Sequence, residues 1–343
     1  MQISARYLFT ILLVLSPSGL NAQIELNPLN WFGDDTDEES LVIEVASAAD
    51  EAKATKAVEA AKVSLESGKT RLAKRQLKKI VKKYGNAEAT GEARYLLGKI
   101  LMTGGKWKKA FNTLQEVVIE NPDFEQYNQV IGAQFECATA LMEGARGRIL
   151  WVIPGFKQYT EAVRQFEILV SNGPYSDYAP LALMNIALLS EKQNESEIAI
   201  DALDRLINYY PQSMLAPDAY YNMAGTYSSL VQGSDYDQGA TRQAISYYED
   251  FMILFPQSNY LGEVEANLAA MQNLLAESRL NLGDFFYYYR NNNTAALTFY
   301  KEAITIAPES EVADEARARV TDVEAGVRPV SGAQLVRNLL LID

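Results

Sequence analysis

The chain has 343 residues, 48% of them hydrophobic, with a formal net charge of −13, no histidine and one cysteine. That length supports a large core, as one elongated domain or two compact ones. The composition removes the usual general base and zinc ligand, a Ser-His-Asp triad, any intrachain disulfide and any thiolate metal cluster, and the acidity argues against binding nucleic-acid phosphates.

The N-terminus reads MQISARYLFTILLVLSPSGLNAQ. Arg6 precedes a short apolar run, Leu8 to Leu15, and a small-residue exit, so residues 1–22 are expected to be a secretory signal peptide cleaved after Ala22. The run is too short to span a bilayer, and later apolar stretches are interrupted by charge at helical spacing. A lipoprotein would carry Cys after the cleavage point, where Gln23 stands. The mature protein is therefore expected to be exported, and either soluble or peripherally attached to a membrane. Residues 23–50 are acidic and unpatterned, and are expected to form a flexible linker in which Trp31 and Phe32 could dock on a partner.

From there the chain repeats. Pro122, Pro174, Pro211, Pro256 and Pro308 each follow an alanine by 12 residues: Ala110, Ala162, Ala199, Ala244 and Ala296. Ala73 and Gly85 make a sixth copy. Four residues after each alanine stand Leu77, Leu114, Phe166, Leu203, Tyr248 and Tyr300. Seven after stand Ile80, Val117, Leu169, Leu206, Phe251 and Ala303, and eight after stand Val81, Val118, Val170, Ile207, Met252 and Ile304. These offsets place the side chains on one helical face, with the alanine where a neighbouring helix comes close. Each proline lies past a helix end, because it lacks an N–H and disfavours the α conformation in the residue before it. Pro180 and Pro217 fit the first turn of a following helix, and Ala187 and Ala224 lie seven residues further on. The unit is a pair of helices with a basic spacing of 37 residues; spacings of 52, 45 and 52 imply insertions or longer helices.

The pattern resembles the tetratricopeptide repeat, with a small residue in the first helix, an alanine 12 on and a proline 12 after that; Gly98, Ala110 and Pro122 fit, as do Ala187, Ala199 and Pro211. The expected fold is all-α: about six helix pairs over 51–325 with a capping helix near 309–325, stacked as a superhelix, followed by a C-terminal tail at 326–343.

Two stretches narrow the family. In GSDYDQGATRQAISYYEDFMILFPQSNY (233–260), Asp235, Asp237, Gln238, Ala244, Phe251, Pro256, Ser258 and Tyr260 fit the BamD family, a component of the outer-membrane β-barrel assembly machine. The stretch LAESRLNLGDFFYYYRNNNTAALTFYKEAITIAPES (275–310) is similar to that family's next element, a long helix before a Tyr-Tyr segment. The resemblance implies a non-catalytic periplasmic scaffold for inserting β-barrel proteins into the outer membrane. Its implied partners are the barrel-forming assembly protein and unfolded outer-membrane chains, with no cofactor, small-molecule substrate or nucleic acid. The alternative is a periplasmic tetratricopeptide adaptor for cell-envelope or cell-division machinery. No catalytic, metal or cofactor-binding residue is assigned.

By repeat phase, a peptide-binding groove would use Tyr95, Lys99, Leu181, Met184, Leu188 and Tyr221. The insertion GARGRILWVIPGFKQ (144–158) is apolar from Ile149 through Trp151 to Ile153, and either contacts a partner or folds back over a neighbouring unit. The run KTRLAKRQLKKIVKK (69–83) carries eight basic residues opposite Ala73, Leu77, Ile80, Val81 and Tyr84. It is a solvated face or a dock for an acidic segment, such as Asp34, Asp35, Asp37, Glu38 and Glu39 of the linker. The aromatics of DFFYYYR (284–290) pack between helices or stack on a ligand, and Asp235 and Asp237 cap a turn or bind Ca²⁺. Cys137, in an apolar helical pattern, is expected to be a buried structural thiol.

Overall fold

The computed structural model describes residues 46–144, 148–149, 153–154 and 158–327. All of them belong to the unit Val45–Asp343. The expected signal peptide, the linker as far as residue 45 and the tail from 328 lie outside the described residues.

The described residues form an all-α array of six helix pairs and a final single helix. The pairs are α1 (Ala48–Glu66) with α2 (Thr70–Lys83), α3 (Ala89–Thr103) with α4 (Trp107–Glu120), and α5 (Tyr127–Met142) with α6 (Tyr159–Asn172). Then come α7 (Tyr178–Lys192) with α8 (Ser196–Tyr209), α9 (Ala216–Ser229) with α10 (Gly239–Leu254), and α11 (Leu261–Asp284) with α12 (Asn293–Ile306). Helix α13 (Glu311–Glu324) follows. Each helix packs on the next in sequence, and successive first helices also touch from α1 to α3 to α5 to α7.

The repeat alanines, Ala73, Ala110, Ala162, Ala199, Ala244 and Ala296, are all 0% exposed. The residues four and seven positions on are buried in every copy. The residues eight on are less so: Val170 and Ile207 are buried, while Val81, Val118, Met252 and Ile304 are half-buried. The apolar stripe is therefore centred on the alanine and its +4 and +7 partners, with the +8 position at its edge.

Helix ends follow one rule. Pro122, Pro174, Pro211, Pro256 and Pro308 each stand two residues past the last helical residue. The residue between is pushed out of the α region: Asn121, Gly173, Tyr210, Phe255 and Ala307 have φ between −129 and −137° and ψ between 49 and 70°. Tyr84, before Gly85, adopts a similar conformation, with φ −126° and ψ 38°. In all six copies the N–H of this residue still donates to the carbonyl four back, at Ile80, Val117, Leu169, Leu206, Phe251 or Ala303. The turn inside a pair has its own rule. Gly68, Gly105, Asn194 and Asn291 hold φ of 72, 66, 60 and 48°, and the second helix starts two residues later. Glycine and asparagine take this left-handed conformation at least cost.

The three long spacings have three causes. The first is the segment between α5 and α6, whose backbone forms a two-stranded antiparallel ladder of β1 (Arg148–Ile149) and β2 (Ile153–Pro154), with Ile149 opposite Ile153. The second is the loop from 230 to 238 before α10. The third is α11, 24 residues long, running into a π-helical turn at Phe285–Tyr289.

The core is a chain of four clusters. One joins α1 to α5, the next α5 to α9, a third α9 to α11 and the last α11 to α13. Between α4, α5 and α6 it contains a polar knot. Gln134 donates to Gln115 Oε1 at 2.7 Å, Asn172 donates to the same oxygen at 2.6 Å, and Tyr127 O–H donates to the Asn172 carbonyl at 2.8 Å.

Candidate partner-binding faces

The first helices carry the six residues expected to line a groove. On α3, Tyr95 and Lys99 are half-buried one turn apart. The Tyr95 hydroxyl reaches Gln129 Oε1 on α5 at 3.3 Å, and its ring lies 6.0 Å from Phe124. On α7, Leu181 and Leu188 are 40% and 44% exposed, while Met184 is 6% exposed and its Sδ lies 3.7 Å from Asn222 Nδ2 on α9. On α9, Tyr221 O–H donates to Glu263 of α11 at 2.6 Å and its ring stacks on Tyr260 at 4.9 Å. The hydrogen bond to Glu263 leads in pushing the Tyr221 phenol up to about 12. Tyr95, Met184 and Tyr221 thus sit at seams between successive first helices; Leu181 and Leu188 present free apolar surface.

In the insertion, Trp151 lies outside the described residues, and Ile149 and Ile153 are described only as paired backbone.

The other candidates resolve into structure. Asp237 Oδ2 accepts from Gly239 N at 3.1 Å, Asp235 Oδ1 accepts from Asn281 Nδ2 at 2.9 Å, and the Gln238 amide donates to the carbonyls of Gly233 and Tyr236 at 2.9 and 2.8 Å. The acids therefore fasten the 230–238 loop. Among the described residues no three His, Cys, Asp or Glu side chains are grouped to hold a metal. Cys137 is fully buried, and burial pushes its thiol up to about 12, which makes it a poor nucleophile.

The aromatic run divides by face. Phe286 stacks on Phe299 at 5.4 Å, and Tyr287 is buried. Phe285, Tyr288 and Tyr289 are 40, 40 and 80% exposed on the π turn. Sequence spacing did not separate these, because the i→i+5 bonding of a π turn widens the helix locally and alters the phase of every side chain after it.

Six helix pairs with shared punctuation and a chain of nearest-neighbour cores define a tetratricopeptide-repeat protein. Residues 58–123 match the tetratricopeptide repeat family, and residues 155–325 match the YfiO family, described as outer membrane lipoprotein. The chain is a BamD-like tetratricopeptide-repeat protein. It is 26% identical over 128 residues to the outer membrane protein assembly factor BamD of Caulobacter vibrioides, covering 37% of this chain and 42% of that one. It is 26% identical over 148 residues to BamD of Rickettsia prowazekii, covering 43% and 59%. Against BamD of Neisseria meningitidis serogroup B the figures are 25% over 148 residues, 40% and 55%. The chain spans about half the length of the curated relatives it matches. Among solved structures, it is similar to a tetratricopeptide repeat protein from Parabacteroides merdae, at 13% identity, 79% coverage of this chain, 98% of the other and a TM-score of 0.33.

Proposed function

We propose that the protein is a non-catalytic scaffold of the outer-membrane assembly machinery, working from the periplasmic side through protein contacts. The observation that carries this reading is the match of residues 155–325, helices α6 to α13, to the outer membrane lipoprotein family, together with relatives that are BamD assembly factors. The chemistry is consistent with it. Without histidine, and with its one cysteine buried, the chain lacks the residues of the commonest nucleophile–base pairs, and what its described residues offer is helical surface. In this reading the first-helix face with Tyr95, Lys99, Leu181, Met184, Leu188 and Tyr221 receives an extended segment of a partner, with Leu181 and Leu188 as its apolar contacts. The segment with Ile149, Trp151 and Ile153 adds a second contact. The partners are a barrel-forming outer-membrane protein and unfolded outer-membrane chains.

The test is copurification of the tagged protein from detergent-solubilised envelopes. Recovery of the barrel-forming assembly protein is expected, and its clean absence, or recovery of cell-division components instead, overturns the reading. Leu181→Glu with Leu188→Glu is expected to reduce recovery while leaving the helical content unchanged. Undiminished recovery would remove the groove assignment but not the scaffold.

A further inference from the structure

The molecule is acidic, yet its charge is segregated. Thirteen of its 31 Lys and Arg lie between residues 69 and 109, against two acids, Glu88 and Glu92. Helix α2 contains no acid at all. Its apolar residues Ala73, Leu77 and Ile80 are buried in the first core cluster, which leaves the opposite face outward. On that face Arg71, Leu72, Arg75, Lys78, Lys79, Lys82 and Lys83 are exposed. From Arg71 to Lys82 the stripe runs about 16 Å at the α-helical rise.

None of the eight cations from Lys69 to Lys83 is in an ion pair among the described residues, although thirteen pairs form elsewhere. The exposed Lys106 and Lys109 of the α3–α4 corner extend the patch. Lys74 is held below its ordinary pKa by burial first, and then by the charges of Lys106, Lys78 and Lys109. Like charges are crowded here, and the acid of the described residues that bears on the run, Asp50 of α1, acts on Lys83 from beyond ion-pair distance.

We propose that the exposed face of α2, with Lys106 and Lys109 beside it, docks on an anionic phospholipid surface. The residue types select this occupant over an acidic protein. Six of the eight cations in the run are lysines, compact hydrated charges that suit a diffuse array of headgroups. Protein interfaces are depleted in lysine and built on aromatic anchors in pockets, whereas Tyr84 and Trp107, the aromatics nearest the patch in sequence, are half-buried against the core. Leu72, 46% exposed within the cationic stripe, is the one large apolar side chain of α2 free to enter the headgroup layer. Because the remaining apolar face of α2 is already packed, the helix lies on the surface and does not insert. No helix among the described residues is long and apolar enough to cross a membrane. The patch lies in α2 and α4, outside the residues that match the outer membrane lipoprotein family, so it leaves α6 to α13 free for protein contacts.

The experiment is co-sedimentation of the full chain with vesicles of phosphatidylcholine alone, or of phosphatidylcholine mixed with phosphatidylglycerol, at low and physiological salt. The expected result is partition onto the phosphatidylglycerol vesicles only, weakening as salt rises. The triple variant Lys78→Glu/Lys79→Glu/Lys82→Glu is expected to partition at least ~10-fold less. The milder pair Arg75→Gln/Lys79→Gln, at exposed positions, should give a smaller loss in the same direction, and circular dichroism checks that both variants stay helical. Equal partition onto both vesicle types, no partition, or partition unchanged in the charge-reversed variant overturns the proposal. So does retention on polyglutamate or duplex DNA without partition onto phosphatidylglycerol. No envelope partner enters this assay, so its outcome is independent of the copurification.

Discussion

At Gly98 a methyl group would come within 2.8 Å of Leu114 Cδ2, so the first helix of the second pair sits against its partner's +4 leucine with no room for a side chain. Gly98→Val is expected to destabilise by about 1–3 kcal/mol through overpacking. Gly225 is the control: it is also inside a helix, α9, but nothing lies within 4 Å of its missing Cβ. Gly225→Ala should stabilise by about 0.5–1 kcal/mol. Urea unfolding of the two variants reads the opposite signs. Titration is a second residue-scale property. Tyr221 is raised from 10.0 to about 12, chiefly by donating to Glu263, and burial raises Cys137 from 9.0 to about 12. Tyr127, Tyr210, Tyr220, Tyr247, Tyr287 and Tyr300 are raised by burial, and Tyr260 by the charge of Asp218. For each, the folded state holds the proton more tightly than the unfolded one. The stabilisation is intact below the ordinary pKa and is lost as pH climbs through the raised value. With no histidine to titrate near neutrality, the thermal midpoint is expected to change little from pH 6 to 9 and to fall steeply above about 10. Tyr221→Phe should soften that alkaline fall.

Helix termini make the elements uniform. Phe255, between the end of α10 and Pro256, is held at φ −129° and ψ 54°. Pro256→Ala removes that restriction and frees the unfolded chain, so a loss of about 0.5–1 kcal/mol is expected in thermal denaturation. Envelope partners should be recovered as before, since the proline is punctuation; weaker recovery at unchanged stability would contradict that role. The corner between α7 and α8 offers a sharper test. Asn194 holds φ at 60°, so Asn194→Ala should cost about 1–2 kcal/mol, while Asn194→Gly should be neutral or stabilising. The prolines were legible because their effect is local and acts on one neighbour. The left-handed corners were not singled out, since Gly and Asn at Gly105 or Asn194 carry no spacing signal until the helices on both sides are known. The π turn at Phe285–Tyr289 was likewise hidden. Its Phe286 and Tyr287 turn inward because of packing against Phe299 and a hydrogen bond from the Tyr287 hydroxyl to the Val327 carbonyl, 40 residues away in sequence.

Across the whole described array, each cluster of core residues is shared only by helices close in sequence, which is the condition for stability to add pair by pair. Removal of residues 309–343 takes away α13 and uncovers the last cluster, which includes Ala276, Ala296, Tyr300 and Ala303. Hydrogen exchange is expected to quicken in α11 and α12 and to stay unchanged in α3 to α8. Uniform acceleration would indicate one cooperative unit. The period of alanine, apolar partners and proline determined the number of helix pairs, their ends and which face of each second helix is buried, because those follow from helical phase and from what proline does to its neighbour. Tertiary structure alone decided which polar residues enter the core and which apolar ones stay out. Gln134 is fully buried because Gln115 and Asn172, brought from other helices, answer its amide, whereas Leu181 and Leu188 remain exposed because no later helix among the described residues covers that side of α7. The same holds for charge. The sequence shows a basic run, but only the packed array establishes that no acid among the described residues forms an ion pair with it, since pairing depends on distances between helices that spacing along one helix does not contain.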